Sequence, residues 1–362
     1  MKILFLAAAL LAISSVYYFT SQEEVNSFDL GADTEFLKFI SVHNKEYSTT
    51  KDMNARREIF NKNLETINYH NSLNKKYKLG VNQFTDLTDE EFAAMNKLKT
   101  GSSLHTQKPS FVSISEEKVL HQAEGLDWRK LGAVTRVKDQ GRCGSCWAFS
   151  TIAQFEGAYH IGYQQTHEFS EQHLVDCDRV KVGNLVNDGC NGGFMELALD
   201  YLAYHSAIYE NDYPYISGTN GTEQNCMEDL VNGPNAYVDL DDESGEPRIY
   251  HTLLGTTEEL IHAIYQAPVS VAIQANSPIF RSYREGIIDD KDLEEADKCF
   301  QGELNHGVTA VGFGYDRSNS SNTVPYITIK NSWGSRWGDA GYANVAAHSC
   351  GITNDFVWSK VD

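Results

Sequence analysis

Apolar residues recur at helical spacing in the first third of the chain, between Thr34 and about Lys99. They fall at Phe36, Leu37, Phe39 and Ile40 and again at Ile59, Phe60, Leu64 and Ile67. This spacing places them on one face of a helix and predicts two or three helices. The stretches 100–109 and 111–125 show no such period and are rich in small and polar residues. They predict a linker.

Helical and strand patterns both occur from Leu126 to Asp362. Helical spacing covers 145–159, 195–205 and 257–266, and strand-like alternation covers 269–273, 308–313 and 326–329. The segment 257–266 opens on a Thr-Glu-Glu start signal. Helices that precede strands predict an α+β fold, with two lobes and a cleft between them. No internal repeat is found in the sequence.

Composition and charge exclude several classes of protein. A chain of 362 residues with 41% hydrophobic residues has enough apolar surface for a well-packed core, which excludes complete disorder. The net charge of -20 and the pI near 5.0 argue against a nucleic-acid or anionic membrane partner, since both attract clustered Lys and Arg. An acidic protein of this kind suits a compartment at low pH.

The N-terminus has the pattern of a secretory signal. Lys2 is followed by an apolar run from Ile3 to Ala12, with small residues beyond it, and we predict a cleaved signal peptide at 1–21. The alternative is an uncleaved anchor reaching Phe19, but that run is shorter than the roughly 20 residues that span a bilayer. The C-terminus is not a retention signal, so we expect the product to leave the endoplasmic reticulum.

The chain contains seven cysteines, an odd number for a protein folded in an oxidising compartment. Six of them form three bridges in any of about fifteen ways, and one thiol remains. Two sequons, at Asn220 and Asn319, are candidate glycosylation sites in polar loops.

Cys146 follows a glycine-rich turn and begins a predicted helix, in the segment Gln140-Gly-Arg-Cys-Gly-Ser-Cys-Trp-Ala-Phe-Ser150. Backbone N–H groups at a helix start stabilise a thiolate and make the cysteine a better nucleophile. The competing interpretation is a structural, redox or metal-binding pair with Cys143. No second Cys-x-x-Cys accompanies it in the sequence.

A cysteine nucleophile needs a base, and the base needs an orienting group. His306 enters a predicted strand beside a glycine, and Asn331 follows another predicted strand between aromatic residues. Taken singly, each residue fits an ordinary surface, core or turn position equally well.

Together, these three segments resemble the papain and cathepsin L family of cysteine proteases, from about Asp33 to the C-terminus. The matching motifs are Gln140 to Ser150, Asn305-His-Gly307 and Asn331-Ser-Trp-Gly-Ser-Arg-Trp-Gly338. The resemblance implies that Cys146 is the nucleophile, His306 the general base and then acid, and Asn331 the group that orients the imidazole. Gln140 would donate its side-chain amide to the oxyanion hole. Trp333 would cover the His306 to Asn331 hydrogen bond.

The resemblance also implies the architecture and the domain boundaries. We expect a papain-like two-lobed fold, with a helical lobe, a β-barrel-like lobe and the active-site cleft between them, preceded by a helical inhibitory prodomain. The predicted propeptide is 22–122 and the mature domain 123–362. His306 and Asn331 lie 160 and 185 residues after Cys146, more than the family's usual spacing of about 130 to 150. Polar stretches at 180–187, 239–248, 289–297 and 317–324 account for the excess.

By the same resemblance, the disulfides are Cys143–Cys190, Cys177–Cys226 and Cys299–Cys350, which leaves Cys146 free. The pocket for the second substrate residue before the cut would be lined by Phe194, Met195, Ala272, Leu304 and Gly307. Its floor would be Asp355, or Asn354 if the alignment slips by one residue. An acidic floor predicts that an Arg side chain is accepted beside Leu and Phe.

The first third resembles the cathepsin L-type inhibitory prosegment. Its helical motif runs through Asp52, Arg56, Ile59, Phe60, Asn63, Ile67 and Asn71, with Asp where Glu is usual, and its second motif is Gly80, Asn82, Phe84 and Asp86. The resemblance implies a segment that crosses the cleft opposite to a substrate and is removed on acidification, with Asp86 a candidate trigger. The mature chain would begin within 121–126.

We therefore predict an endopeptidase zymogen that acts on peptides and proteins; a catalytically silent binding or inhibitor protein of the same fold is the alternative. The sequence contains no His-His segment of the cathepsin B kind, and we therefore favour an endopeptidase over an exopeptidase. We expect no cofactor and no metal, a monomer, its own propeptide and cystatin-like inhibitors as partners, and no membrane span after signal removal. The expected destination is the lysosome, the vacuole or the extracellular space.

Overall fold

The computed structural model describes residues 30–101, 125–179, 181–231, 249–292, 298–299, 302–318 and 323–361. The predicted signal peptide, most of the predicted linker, Asn319 and the polar stretch at 239–248 lie outside these residues. Within the described ranges, no helix is both long and apolar enough to cross a bilayer.

The described part of the chain forms two compact units, one that ends at Lys62 and one that begins at Asn63. The first contains helix α1, Leu30–His43, and most of helix α2, Thr50–Ser72. Aromatic rings hold the two helices together: Phe60 lies 5.4 Å from Phe36 and 4.8 Å from Phe39, measured between ring centroids. These are residues of the predicted helical face.

The second unit begins with the end of α2, strand β1 (Tyr77–Leu79) and helix α3 (Asp89–Ala93). A capping box fixes the start of α3, since Thr88 accepts from the backbone N–H of Glu91 and Glu91 accepts from that of Thr88. The prediction of two or three helices in this region is confirmed, with α3 as the third.

A long buried helix organises the helical half of the second unit. This is α4, Cys146–Tyr163, which ends where Gln164 takes a left-handed conformation. The other helices are α5 (Glu171–Cys177), α6 (Met195–Tyr204), α7 (Ser217–Asn220), α8 (Glu228–Val231), α9 (Thr257–Gln266) and α10 (Pro278–Ser282). Helix α9 has the predicted bounds because Thr256 and Glu259 form a capping box at its start.

The strand-rich half is a mainly antiparallel sheet. Its strands are β2 (Leu126–Asp127), β5 (Ile249–Leu253), β6 (Val269–Ile273), β7 (Tyr283–Ile288), β8 (His306–Asp316), β9 (Val324–Lys330), β10 (Tyr342–Ala346) and β11 (Asp355–Ser359). Their order is β1-β7-β10-β9-β8-β6-β11-β5, with β2 also paired to β8. A separate hairpin joins β3 (Lys181–Val182) to β4 (Leu185–Val186). The three predicted strands are present, although β8 and β9 each begin two residues earlier than predicted.

Two hydrophobic clusters lie in the second unit, one around α4 and one around the sheet. Segments from the first third of the chain contribute to both. Ile67, Phe84 and Phe92 pack into the sheet cluster, and Leu98 packs into the helical cluster. The three disulfides are Cys143–Cys190, Cys177–Cys226 and Cys299–Cys350, the pairs that the resemblance implies.

Candidate active site

Cys146 is the first residue of α4 and carries a free, buried thiol. Burial raises its pKa, while the backbone N–H groups of Gly307, Lys97 and Trp147 act against burial and lower it. Of these amides, that of Trp147 belongs to the first turn of α4 and is not taken by a side-chain cap bond from Ser145. The local backbone therefore supports a thiolate, and burial is what opposes it.

The turn before Cys146 is held from two directions. Gly141 has a φ of +59°, and a Cβ there would lie 2.4 Å from the carbonyl oxygen of Gly218, so only glycine fits. The Tyr215 hydroxyl bonds Ser145 Oγ at 2.8 Å and donates to the Gln140 carbonyl at 2.9 Å. This bracing fixes both ends of the turn relative to the helix start.

His306 opens β8, as predicted, and its ring is completely buried. Its Nε2 lies 2.8 Å from Asn331 Oδ1, which also accepts the backbone N–H of Ser332 at 2.8 Å. Because Oδ1 is held as an acceptor by Ser332, Nε2 must carry the ring proton and Nδ1 keeps its lone pair. Nδ1 has no hydrogen-bond partner among the described residues.

Two effects act on the imidazole. Burial lowers the pKa of His306 to about 4, against a smaller raising effect from the hydrogen bond to Asn331. The indole of Trp333 stacks on the ring, with centroids 4.6 Å apart and planes at 26°. Trp333, which was expected to cover the His306 to Asn331 hydrogen bond, thus lies on the face of the imidazole.

Gly307, the residue after His306, lies directly against Cys146. A Cβ on Gly307 would lie 3.1 Å from the carbonyl oxygen of Cys146 and 3.1 Å from Met195 Sδ. Strand β6 fixes this position from the other side, because Ile273 pairs with His306 and Ala272 with Gly307. His306, which directly precedes this glycine, is thus placed at the start of α4.

Gln140 is buried beside the same turn. Its Nε2 donates to the Cys143 carbonyl at 3.0 Å, and its Oε1 accepts from Ser332 Oγ at 2.7 Å. The backbone N–H of Gln140 also donates to the Ser332 carbonyl at 2.9 Å. Ser332 therefore fixes the amide so that its NH2 faces the turn before Cys146.

A segment from the first third of the chain lies across these residues. The backbone N–H of Leu98 donates to the Asn305 carbonyl at 3.1 Å, and that of Lys99 donates to the Gly193 carbonyl at 2.9 Å. The approach is close enough that a Cβ on Gly192 would lie 2.0 Å from the carbonyl oxygen of Lys97. In the same segment, the Lys97 backbone N–H lies at the Cys146 thiol and Leu98 shares an apolar cluster with Cys146.

The buried Leu98 shares an apolar cluster with several of the predicted pocket residues. It is buried in one cluster with Met195 and Ala272, and Leu304 packs against that cluster. Phe194 is the N-cap residue of α6 and is also buried. Sequence reasoning did not find Leu98, because its place depends on the path of the chain through the cleft.

The second prosegment motif lies against Trp333. Phe84 and Phe92 meet its indole edge to face, each at 5.3 Å between centroids, and Gln83 Nε2 donates to the Trp333 carbonyl at 2.5 Å. Asn82 Nδ2 donates to the Arg281 carbonyl at 2.7 Å. Phe84 of the motif and the nearby Phe92 thus contact the same indole that stacks on His306.

Arg281 anchors this segment and was missed from the sequence. Its guanidinium donates to Asn63 Oδ1 at 2.9 Å and to Asp89 Oδ1 at 2.8 Å. Asn63 in turn donates to the carbonyls of Thr85 and Leu87, at 2.7 and 3.0 Å. No recognisable motif surrounds Arg281, so the sequence gives no signal for this contact.

Asp355 is buried at the start of β11, and its carboxylate already has a partner in the protein. His251 Nε2 lies 2.8 Å from Asp355 Oδ1. Glu196 is also buried, and its pKa is raised to about 8 by burial and then by the charge of Asp355. Neither His251 nor Glu196 was expected from the sequence. Asn354, the alternative floor residue, is partly exposed.

The sequon at Asn220 lies at the exposed end of α7, and its Oδ1 accepts the backbone N–H of Thr222 at 3.1 Å. Among the described residues, no group of three or more His, Cys, Asp or Glu side chains is arranged to hold a metal ion.

Comparison with protein families gives two matches. The family model for papain family cysteine proteases matches residues 122–359. The chain belongs to the papain family. The model for the cathepsin propeptide inhibitor domain matches residues 36–92 of the same chain. This papain-family cysteine protease therefore carries its own propeptide, as a zymogen does.

Similar proteins are found over most of the chain. Cysteine protease XCP2 of Arabidopsis thaliana is 36% identical over 342 residues, which cover 92% of this chain and 87% of the relative. Papaya proteinase 4 of Carica papaya is 34% identical over 366 residues, 97% of this chain and 95% of the relative. The solved digestive procathepsin L 3 of Tenebrio molitor larval midgut has a TM-score of 0.71 and 30% identity, covering 91% of this chain and 99% of that one. These matches confirm the papain-like fold.

Proposed function

We propose that the chain is the zymogen of an endopeptidase in which Cys146, His306 and Asn331 carry the reaction. The observation that supports this most directly is the His306 Nε2 to Asn331 Oδ1 bond of 2.8 Å. It leaves Nδ1 as a base beside a free cysteine at a helix start. Those are the parts of an activated thiol nucleophile.

The chemistry follows from these protonation states. Nδ1 of His306 takes the proton of the Cys146 thiol, and the thiolate attacks the carbonyl carbon of the peptide bond. The oxyanion that forms accepts hydrogen bonds from Gln140 Nε2 and from the backbone N–H of Cys146. The imidazolium then protonates the leaving amine, which departs and leaves a thioester on Cys146. Water, deprotonated by His306, hydrolyses the thioester and restores the thiol.

In the zymogen, the propeptide holds this machinery in a neutral, covered state. Lys97 and Leu98 exclude water from Cys146, so burial favours the uncharged thiol and the uncharged imidazole. Removal of the segment hydrates both groups and favours the thiolate–imidazolium pair. The helix start and the amide of Gly307 then stabilise the thiolate without opposition from burial.

Acid activation has a physical basis in His306. Its pKa is about 4 in the covered state, against an ordinary value of 6.5. Where the proton comes from solvent and not from the Cys146 thiol, an exposed imidazole binds it between those values and the covered one does not, so acidification favours the uncovered state. Protonation of Asp86, which is buried within the second motif, is a second candidate trigger. We retain 1–21, 22–122 and 123–362 as the signal, propeptide and mature parts, with cleavage within 121–126.

Three disulfides are typical of a protein that folds in the secretory pathway. We propose a lysosomal, vacuolar or extracellular destination for the mature enzyme, with peptides and proteins as substrates and cystatin-like proteins as inhibitors.

The test is to acidify the purified precursor and titrate it with a thiol-reactive epoxide while following hydrolysis of a dipeptidyl fluorogenic substrate. We expect one equivalent of label on Cys146 and a proportional loss of hydrolysis. A protein that is processed and labelled but hydrolyses nothing would instead be the catalytically silent alternative. A Cys146→Ser precursor is the matched control, because it keeps the fold and loses the thiol.

A further inference from the structure

The β3–β4 hairpin lies outside the main sheet and plays no part in the catalytic steps. It falls in the polar stretch 180–187, one of those that lengthen the chain between Cys146 and His306. Its last carbonyl, that of Val186, accepts a hydrogen bond from Nζ of Lys99 at 3.1 Å. The hairpin therefore contacts the segment that fills the cleft.

The position of that carbonyl is fixed by the next residue, Asn187, which is completely buried. Asn187 Oδ1 accepts the backbone N–H of Phe194 at 2.6 Å, and its Nδ2 donates to Asp178 Oδ2 at 2.5 Å. Phe194 directly follows Gly193, whose carbonyl binds the backbone of Lys99. Asn187 thus ties the end of the hairpin to the cleft wall, so the acceptor is in place before any ligand arrives.

The covering segment reads Lys97-Leu98-Lys99, which is the same in both directions. Leu98 is buried in the cluster that includes residues of the predicted apolar pocket, Lys99 Nζ donates to the Val186 carbonyl, and Lys97 Nζ donates to the Cys190 carbonyl at 3.4 Å. A peptide of either chain direction that places Leu in this pocket brings its two neighbours towards the same two carbonyls. The propeptide is therefore a template for substrate side chains.

We propose that the mature enzyme prefers peptides in which the pocket residue, Leu, is flanked by Lys, and that the Val186 carbonyl binds the Lys further from the nucleophile. This rests on the proposed function and names its substrate class. In substrate terms, Leu is the second residue before the cut, and the Lys bound by the hairpin is the third.

The third position should discriminate more than the first. Lys99 is half-buried and its bond is 3.1 Å long, whereas Lys97 is exposed and its bond is 3.4 Å. A charged donor strengthens a hydrogen bond, and exposure to water weakens it. Glu223 accepts the backbone N–H of Cys190 at 3.4 Å and adds a negative charge near the first position. This charge disfavours Glu at the first position and is the reason that some preference for Lys is expected there as well. Lys181 of the hairpin is itself exposed, so solvent screens its repulsion.

The experiment compares fluorogenic tripeptides that all carry Leu at the second position, using the acid-activated enzyme. The third residue is Lys, norleucine or Glu with the first held constant, and the first is then varied with the third held constant. We expect kcat/KM for Lys over norleucine to be about five-fold at the third position and about two-fold at the first. Glu should be the poorest residue at both.

A hairpin-shortened enzyme, with Lys181–Val186 replaced by two glycines, separates the two carbonyls. At the third position, the kcat/KM ratio of Lys to norleucine should fall to about one, which means no preference. The preference at the first position should be retained because Cys190 is unchanged. Lys181→Ala, which keeps the hairpin, is the matched control, and Asn187→Ala gives a second way to release the hairpin.

Equal rates for Lys and norleucine at the third position of the intact enzyme would overturn this inference alone. So would a third-position preference that survives shortening. Absence of hydrolysis of every Leu peptide would overturn the proposed function as well.

Discussion

One hydrogen bond, 2.8 Å from His306 Nε2 to Asn331 Oδ1, joins Asn331 to His306. That hydrogen bond selects the tautomer in which Nε2 carries the proton and Nδ1 keeps its lone pair. The indole of Trp333 stacks on the imidazole. Orientation and protonation of the base therefore depend on one amide oxygen.

We expect Asn331→Ala to lower kcat/KM about 10- to 100-fold, because loss of a buried hydrogen-bond acceptor costs about 1–3 kcal/mol. The check is steady-state hydrolysis of a Leu-containing dipeptidyl substrate after acid activation. Asn331→Asp keeps an acceptor and should retain more activity. Full activity in Asn331→Ala would contradict the orienting role.

Gln140→Ala should lower kcat by roughly 100- to 1000-fold and leave KM nearly unchanged, since an oxyanion donor acts mainly in the transition state. Epoxide labelling of Cys146 should persist in this variant, which shows that the nucleophile is intact. Ser332→Ala removes only the bond that orients the amide and should cost less, about three- to ten-fold. An equal loss in both variants would argue for a purely structural role of Gln140.

Opening of the propeptide should accelerate as the pH falls from about 6.5 towards 4, the window between the exposed and covered pKa values of His306. The covered state is stable above that window and loses stability within it, because only the uncovered imidazole takes up the proton there. An inactive Cys146→Ser precursor, cleaved by a trace of mature enzyme, measures the opening. Its rate, corrected for the pH dependence of a short peptide, should rise about 100-fold.

The same precursor with His306→Ala should have a flatter profile over this window. If it stays steep and Asp86→Asn flattens it, the trigger is Asp86 and not His306.

Lys138 holds a buried ion network whose loss should destabilise the protein. Its Nζ donates to Glu171 Oε1 at 2.7 Å and to Glu156 Oε1 at 3.1 Å. Lys138→Met leaves two buried carboxyl groups without their cation and should cost about 3–5 kcal/mol of unfolding free energy. Denaturant unfolding at pH 6 measures it. Lys130→Met, in an exposed pair with Asp127, is the control and should cost less than about 1 kcal/mol.

Asp355 as the pocket floor remains a prediction, and its bond to His251 sharpens the test. We expect Asp355→Ala to lower the ratio of Arg to Leu turnover at the second position. His251→Ala frees the carboxylate and should raise the same ratio, by about three-fold or more. Competing peptide pairs measure both ratios. An unchanged ratio in Asp355→Ala would show that this carboxylate does not reach the substrate.

Local signals explain what the sequence predicted of the fold. Helix α9 has its predicted bounds because Thr256 and Glu259 cap it. Strand β6 has its predicted bounds because Val269, Val271 and Ile273 alternate with smaller residues directly after Pro268. Strand β1 was not predicted, since three residues carry no period and the strand exists only through pairing with β7. Strands β5, β10 and β11, of five residues each, were missed because none of them alternates strictly between apolar and polar residues.

The site divides in the same way. Cys146 and His306 were identified because they stand in sequence motifs whose flanking residues are also characteristic of the family. Arg281, His251 and Leu98 lie at positions that only the tertiary path of the chain decides. His251 bonds a residue 104 positions away, and Arg281 bonds one 218 positions away. No local sequence pattern indicates contacts over such separations.

Ile67, Phe84 and Phe92 belong to the same apolar cluster as Phe280 and Trp333. The propeptide is therefore part of the core in which the sheet is assembled, and folding is driven with its surface included. In the proposed maturation, proteolysis removes that surface together with the residues that helped to build the core. A mature molecule that unfolds has fewer apolar contacts with which to refold. We therefore expect its working lifetime to be set by its rate of unfolding.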